Sequence, residues 1–389
     1  MRRFFVFFLT TILFFSCHSN KQVSRVTDPK PFVFQYPGEN ISYRLPLDTS
    51  VIFDFVSIAA VGDVMYGNHT ISYIKKHGTG YPFVPTGAIL QNADVAFANL
   101  EAPFTDTGTK FDKRFTFKVP PKYATGLTEA GFDVVTLANN HMLDYGIEGL
   151  ANTLKMLDSI GVAHCGAGLD LKQAREPAII ERNGFRIAVL GYSLTFPQEF
   201  WATNSTGGTC YPHYDYMQKS IQQSDSLADF TIVTFHWGSE LKNYPKKYQK
   251  DYAHLAIDNG ADLVLGHHPH VLQGLEIYKN RLIAYSLGNF SFASYSAKAT
   301  ESIILKAHLS KAGLLYAKVI PVSVNNSEVA FQPKPLTGAA ADIVIAHLKI
   351  FSKPLNSKSI IDKDGYVWGD WVVFKNKYPF SEALHHVDK

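Results

Sequence analysis

Residues 262–270 read DLVLGHHPH, a short apolar run that meets a glycine and then places His267, His268 and His270 within four positions. A run of this length bounded by turn residues predicts a buried strand. Neutral imidazole is a common ligand for zinc, iron and related metals, and His268 and His270 alternate so that both can face one centre from a turn. An isolated histidine usually marks a surface or satisfied core position. Three at a strand end, between a Gly-His and a His-Pro junction, point to a metal site.

The same event recurs upstream. SIAAVG at 57–62 is followed by Asp63, and DVAFA at 94–98 by Asn99, Leu100 and Glu101. FDVVTLA at 132–138 leads to Asn139, Asn140 and His141, and FTIVTF at 230–235 to His236. Open α/β sheets gather ligands outside the carboxyl ends of their strands, so residues far apart in the chain can converge on one crevice. Helical patterns fit over 122–130, 147–159 and 248–258, each followed by a glycine suited to a helix C-terminus (Gly131, Gly161, Gly260). RIAVLG at 186–191 reads as another buried strand, entered through a tight turn at Asn183-Gly184. From Ile277 the pattern changes to antiparallel hairpins, with turns at Lys279-Asn280, Ala312-Gly313 and Asn325-Asn326 and a last short strand, VAFQP, at 329–333. These hairpins are expected to complete a second sheet against the first, giving a two-sheet sandwich flanked by helices. A further helix is expected over 339–351.

The chain begins with Arg2 and Arg3 and an apolar run over 4–15, broken only by Thr10 and Thr11 and ending at Ser16-Cys17. This reads as a secretory signal, too short for the roughly 20 apolar residues that cross a bilayer. Ser16-Cys17 resembles a bacterial lipoprotein cleavage box, which makes Cys17 the expected lipidated residue and the membrane a partner through its lipid anchor. Stable anchoring takes more than one acyl chain. The expected organisation is a signal over 1–17, a tether and extended segment over 18–56, a main domain over 57–335, and a C-terminal helix and extension over 336–389 packed on it. An exported, envelope-located protein follows from this reading.

Hydrophobic residues make up 46% of the 389 and charged residues 18%, which is enough for a large core and excludes a disordered chain. The net charge of +3, without a dense basic run, argues against nucleic acid as a partner. Cys165 and Cys210 are open to pairing in an oxidising compartment, and their spacing does not decide it.

Asp63 and Glu101 supply the anionic oxygen that offsets the charge of a dinuclear cation site. Asn140, His236, His268 and His270 complete the expected ligand set. Helix capping accounts for Asp144 or one asparagine at 139–140, but not for His141. Asn99, Asn139, Asp144, Glu240, His267 and Asn289 are the candidates to support the ligands from behind.

In this order, AAVGDVM, FANLEAPF, LANNHMLDYG, TFHWGSE, ADLVLGHHPHVLQ and IAYSLGNF resemble the CapA-type poly-gamma-glutamate capsule-synthesis domain, itself similar to calcineurin-like metallophosphoesterases. The resemblance covers about residues 57–295 and implies an α/β fold, a four-layer α/β/β/α sandwich, with one or two divalent ions (Mn, Zn or Fe) between loops at the sheet ends. By the resemblance, Asp63 corresponds to the first-motif aspartate, Asn140 to the amide ligand, and His141 to the histidine that acts on the leaving group. His236 corresponds to the lone histidine after a strand, and His268 with His270 to the final pair. Three positions depart from the phosphoesterase pattern: Met65 stands where an imidazole is usual, Glu101 substitutes for a bridging aspartate, and Asn139 replaces a glycine. The implied partners are an anionic polymer or phosphoester substrate and other capsule-synthesis membrane proteins.

The expected chemistry is metal-dependent hydrolysis, with bound cations polarising a phosphoryl or carboxyl oxygen and His141 as general acid. One rival is a non-catalytic envelope protein that uses the same pocket to hold or hand on an anionic polymer. A second is a solute- or carbohydrate-binding module with Trp201, Trp237, Trp368 and Trp371 as platforms, although aromatic residues are more often core.

Overall fold

Alternate residues of strand β1 (Phe55–Met65) enter different cores: Val56, Ile58 and Ala60 face one, Ala59 and Val61 the other. A strand buried on both faces must lie between two layers, and this alternation sets the architecture. The computed structural model describes residues 34–35, 42–43, 55–311 and 313–369. Two compact units are distinguished, 1–51 and 52–389. In the first, Phe34–Gln35 pairs antiparallel with Ser42–Tyr43. The second holds all the candidate metal ligands.

In that second unit β1 pairs in parallel with β2 (Val95–Leu100), β2 with β3 (Val134–Thr136), and β3 with β4 (Ala163–Cys165). The other large sheet holds β5 (Ala178–Arg182), β6 (Phe185–Ser193), β7 (Phe230–His236) and β8 (Leu263–His267). It is completed by β9 (Leu275–Tyr278) and β10 (Arg281–Ala284), giving six strands in the order β9-β10-β8-β7-β6-β5. Between the sheets lies one core, where Ile58 and Phe97 share a cluster with Val189, Ile232 and Leu265. Outside the first sheet α1 (Thr70–His77), α2 (Gly87–Gln91), α3 (Thr125–Ala130) and α4 (Gly146–Ile160) bury Ile74, Leu90, Leu127, Leu150 and Leu154. Outside the second, α5 (Tyr214–Leu227) and α6 (Lys247–Asp258) bury Met217, Ile221, Tyr252 and Ala256. Helix, sheet, sheet and helix are thus stacked in four layers.

Of the C-terminal hairpins only the first completes the second sheet. After β11 (Asn289–Phe292), which pairs in parallel with β1, strands β12 (Glu301–Ser310) and β13 (Gly313–Ser323) extend the first sheet, while β9 and β10 close the edge of the second. Alternation identifies a strand without naming its neighbour, and the free edge of β1 captures β12 in antiparallel register. VAFQP is not a strand. Asn326–Val329 is a helical turn, and Ala330 and Phe331 take left-handed φ of 50° and 66° so that the Phe331 ring can be buried. The turn at Asn183-Gly184 does join β5 to β6, with φ of 52° and 81°. The helix expected over 122–130 begins as a single turn at Pro121–Tyr123 before α3. Helix α7 (Gly338–Ser352) buries Val344, Ile345 and Leu348 in the core between the sheets. Cys165 and Cys210 are buried free thiols in different cores. Among the described residues no helix is long and apolar enough to cross a membrane.

One close approach aims the first ligand. The pairing of β1 with β2 shifts register between Ala60 and Asp63, and a Cβ on Gly62 would lie 1.9 Å from the Gly288 carbonyl oxygen. That contact allows the Asp63 N–H to donate to the same oxygen at 3.0 Å. Bulges beside functional sites re-aim side chains in this way. Gly62→Ala must push β11 away from β1, at an overpacking penalty of about 1–3 kcal/mol. A fall in Tm of about 5 °C is the expected result in thermal denaturation; an unchanged Tm would mean that β11 moves aside freely.

Candidate metal centre

Asp63, Asn99 and Glu101 emerge from the carboxyl ends of neighbouring strands with almost no exposure. The Asn99 amide nitrogen donates to Asp63 Oδ1 at 2.9 Å and to Glu101 Oε1 at 2.8 Å, and it lies 3.2 Å from His236 Nδ1. His236 Nε2 faces Asn140 Oδ1 at 2.8 Å, so its proton sits on Nε2 and Nδ1 presents a lone pair. Two amide protons therefore meet three acceptors. Glu101 Oε2 is also buried with no hydrogen-bond partner.

From the second sheet, β8 delivers His267, His268 and His270 around Asp63. His267 Nδ1 lies 3.2 Å from Asp63 Oδ1, His270 Nδ1 lies 3.2 Å from Asp63 Oδ2, and the His268 N–H donates to Oδ2 at 3.3 Å. His268 and His270 hold left-handed φ of 94° and 60°, a strain of order 1–3 kcal/mol each that clusters at functional sites. Asn289, paired with Asp63 across β11 and β1, sets the His270 ring through a 2.9 Å contact from Oδ1 to Nδ1. The Leu241 N–H donates to the Pro269 carbonyl at 2.8 Å and ties the loop that carries Glu240 to this turn.

The donor atoms form two triads, each with its members within 4.8 Å of one another: Asp63, Glu101 and His236, and Glu240, His268 and His270. Glu240, expected to support the ligands from behind, places its carboxylate in the second triad, and Asn140 contacts the first through His236. Met65, at the position where the resemblance leaves no imidazole, is buried in the helix-side core.

Electrostatics decides what the triads want. Burial pushes the Glu101 carboxyl well above its ordinary value and the neighbouring Asp63 charge adds to this. Burial acts on Asp63 in the same sense, but the His267 and His270 imidazoles overcome it and hold that carboxyl well below the usual range. His270 is raised in spite of its own burial, because it faces Asp63. His236 is held well below its ordinary value by burial and by His268, and burial with His270 lowers His268 to about 3. Both are therefore neutral near pH 7, the form in which imidazole binds metal. Two like charges within 4.8 Å repel by about 3 kcal/mol at an effective dielectric near 20. With Glu101 Oε2 and His268 Nδ1 both lacking partners, the residues fit a divalent cation, and the mixed N and O set suits zinc, manganese and iron alike.

Beside the triads, His141 Nδ1 contacts Asp144 Oδ2 at 2.8 Å. Asp144 also accepts from the Phe117 N–H at 2.6 Å and pairs with the Lys113 ammonium at 2.5 Å. Asn139 accepts the His141 N–H at 3.0 Å and donates to Asn99 Oδ1 at 3.1 Å, so it links the two groups. Burial lowers the His141 pKa against the pull of Asp144. Lys113 is absent from the sequence reading. Its ammonium also donates to the Asn140 carbonyl and lies 3.3 Å from His141 Nδ1. The cue was KFDKRFTFK at 110–118, a basic loop interleaved with aromatic residues.

The clustered charge gives Glu101→Gln opposite effects in two conditions. With chelator, removing a buried carboxylate next to Asp63 leaves the Tm unchanged or raises it. With excess Mn or Zn, the stabilisation by metal, about 2.7 kcal/mol at a hundredfold excess over Kd, is expected to shrink markedly. An undiminished metal shift in scanning fluorimetry would remove Glu101 from the ligand set.

Comparison with known proteins shows the family. Residues 57–294 match the family described as bacterial capsule synthesis protein PGA_cap. The chain is 33% identical to capsule biosynthesis protein CapA of Bacillus anthracis, over 73% of this chain and 70% of that one. It is 31% identical to PGA biosynthesis protein CapA of Bacillus subtilis, over 77% and 79% respectively. Among solved structures, the calcineurin-like phosphoesterase YfkN from Bacillus subtilis aligns at a TM-score of 0.37, with 15% identity over 68% of this chain and 88% of that one. The chain belongs to the PGA_cap family of bacterial capsule synthesis proteins.

Proposed function

We propose that this is an exported lipoprotein, anchored through Cys17, that acts as a metal-dependent phosphoester hydrolase in the making of poly-gamma-glutamate or a related capsule polymer. Cys17 and the leader lie outside the described residues, and the localisation rests on their sequence alone. The hydrolase reading rests on one observation: two ligand triads lie beside a buried imidazole that is tied to a carboxylate and is not itself in either triad.

Asp63, Glu101, Asn140 and His236 would hold one cation, and Glu240, His268 and His270 a second. Bound there, divalent ions would polarise a phosphoryl or carboxyl oxygen and activate water. The chain itself handles the proton. With Nδ1 engaged by Asp144, His141 has Nε2 left to deliver a proton to the departing oxygen. Burial lowers the pKa of this imidazole, and an incoming phosphoryl anion would raise its proton affinity on arrival. The half-buried Phe117 ring lies 4.5 Å from His141 and 6.4 Å from Phe292 on this side.

Met65 favours a second reading, in which the pocket only holds an anionic polymer for hand-over, because its thioether is buried where the resemblance calls for an imidazole. Elemental analysis followed by a panel of phosphomonoesters and phosphodiesters separates the two: bound metal without turnover of any ester supports the holder. For the enzyme, His141→Ala is expected to lower kcat by about 100-fold or more with metal content near wild type; full activity would remove its role. Lys113→Ala should lower kcat on the order of tenfold at unchanged metal content, and Lys113→Arg should restore most of it. Equal losses in both variants would reduce Lys113 to a packing residue.

A further inference from the structure

Asp63, Glu101 and His236 stand buried at strand ends, whereas Glu240 is exposed and belongs to the loop 237–246 that joins β7 to α6. The loop leaves β7 at Trp237, which is fully buried, stacks on Phe235 and donates its ring N–H to the Tyr285 carbonyl at 3.0 Å. Its start is therefore fixed, and this indole offers no platform to a ligand. Beyond Trp237 no strand or helix holds the chain, yet a Glu240 carboxylate oxygen lies within 4.8 Å of the donor atoms of His268 and His270. Something beneath the loop must keep it there.

Two glutamines are completely buried at that place, although glutamine is mostly a surface residue. Gln273 closes the motif ADLVLGHHPHVLQ, three positions after His270, and Gln249 lies in the first turn of α6. Gln249 Nε2 donates to Gln273 Oε1 at 3.0 Å, and Gln273 Nε2 donates to the Lys242 carbonyl at 2.8 Å. Gln249 Oε1 accepts the Lys246 N–H at 2.9 Å, and a Cβ on Gly238 would lie 3.1 Å from both polar atoms of the same amide. Above them the Leu241 N–H donates to the Pro269 carbonyl at 2.8 Å, and Asn243 Nδ2 to the Leu272 carbonyl at 3.0 Å. Helix capping explains the contact of Gln249 with Lys246. It does not explain an amide that reaches 24 positions to Gln273, or a second that reaches 31 positions back to Lys242.

We propose that Gln249 and Gln273 are positioning residues for the second cation site: the amide pair locks the Glu240 loop onto the turn that carries His268 and His270. The coupling is physical. If the loop lifts, Gln273 Nε2 loses the Lys242 carbonyl while still buried, and a buried donor without a partner is costly. The loop-down arrangement is the one that satisfies both amides, and it is the one that brings the Glu240 carboxylate to the imidazoles. The first triad owes nothing to this loop, because Asp63, Glu101 and His236 are set by the strands. The pair therefore governs one cation and not the other. The inference rests on the reading of the two triads as cation sites, and adds what assembles the second.

The test titrates the full chain, stripped of metal by chelator and dialysed, with Mn in a calorimeter. Wild type is compared with Glu240→Gln, Gln273→Met and the double variant Gln249→Met with Gln273→Met. Methionine keeps the volume of glutamine without its amide, and replacing both partners strands neither of them. In the double variant the first cation is expected to bind as in wild type and the second about 10–100-fold more weakly, as in Glu240→Gln. Added to Glu240→Gln, the amide changes should weaken the second cation no further, because they act through that carboxylate. In the metal-free chain the Leu241 N–H should exchange with solvent about tenfold faster in the double variant. Gln273→Met alone carries the same expectations if the double variant does not fold. Equal weakening of both cations, or two cations held as tightly as in wild type by the amide variants, would overturn the proposal. Fewer than two cations in the wild type is the separate failure of the two-site reading and takes the second site with it, whereas unchanged Leu241 exchange overturns the positioning role at any metal count.

Discussion

Two carboxylates buried within 4.8 Å of each other are the constraint around which the molecule is arranged. Asp63 is held ionised by two imidazoles, and Glu101 is left with a bare oxygen and a raised proton affinity. Asn99 cannot satisfy both and His236 as well, because its amide has two protons for three acceptors. Removing one partner from such a network leaves an unpaired buried charge, which is costly. Adding positive charge relieves every part of it at once. Burial and the neighbouring imidazoles keep His236 and His268 neutral, so they do not supply that positive charge themselves.

Rigid sheets are needed to hold groups that repel. Asp63 projects from β1 where the Gly62–Gly288 contact fixes it, and His236 and His267 end strands of the facing sheet. The left-handed His268 and His270 lie beyond β8, where the Leu241 to Pro269 hydrogen bond and the Asn289 contact over-determine their turn. Strain of this kind persists only when the surroundings leave no alternative. The inter-sheet core beneath, from Ile58 and Phe97 to Ile232 and Leu265, supplies that stiffness.

Ligand-bearing strand ends were legible because a buried strand declares itself by composition and its polar terminus by contrast. Asp63, Glu101, Asn140, His236, His268 and His270 could be marked one by one and are brought together. Partnership between strands was not legible. Alternation in β12 and β13 is equally compatible with either sheet, and only the vacant edge of β1 settles it. The nearness of Glu240 to the His268–His270 turn was not legible, because Gly238 and Leu241, both left-handed, bend its loop along a path that period-based reading does not follow. Lys113 lies in a loop without periodicity, and its contacts with Asn140, His141 and Asp144 span 27 to 31 positions. Phe331 shows tertiary packing overriding local pattern: its ring lies against His69 and Tyr295, and the backbone bends left-handed to put it there.

The group around His141 bears on whether the centre only binds. Beyond the two triads lies a further imidazole, desolvated and tied to a carboxylate that is itself tied to a lysine. Burying these three polar groups opposes folding unless each is paired, and Asp144 pairs with both of the others while also accepting the Phe117 N–H. Lys113 matters to this balance. Burial lowers the His141 pKa and the Lys113 charge adds to this, against the pull of Asp144. The lowered imidazole thus stands beside the triads and outside them, in a network that also serves to pair its three polar groups.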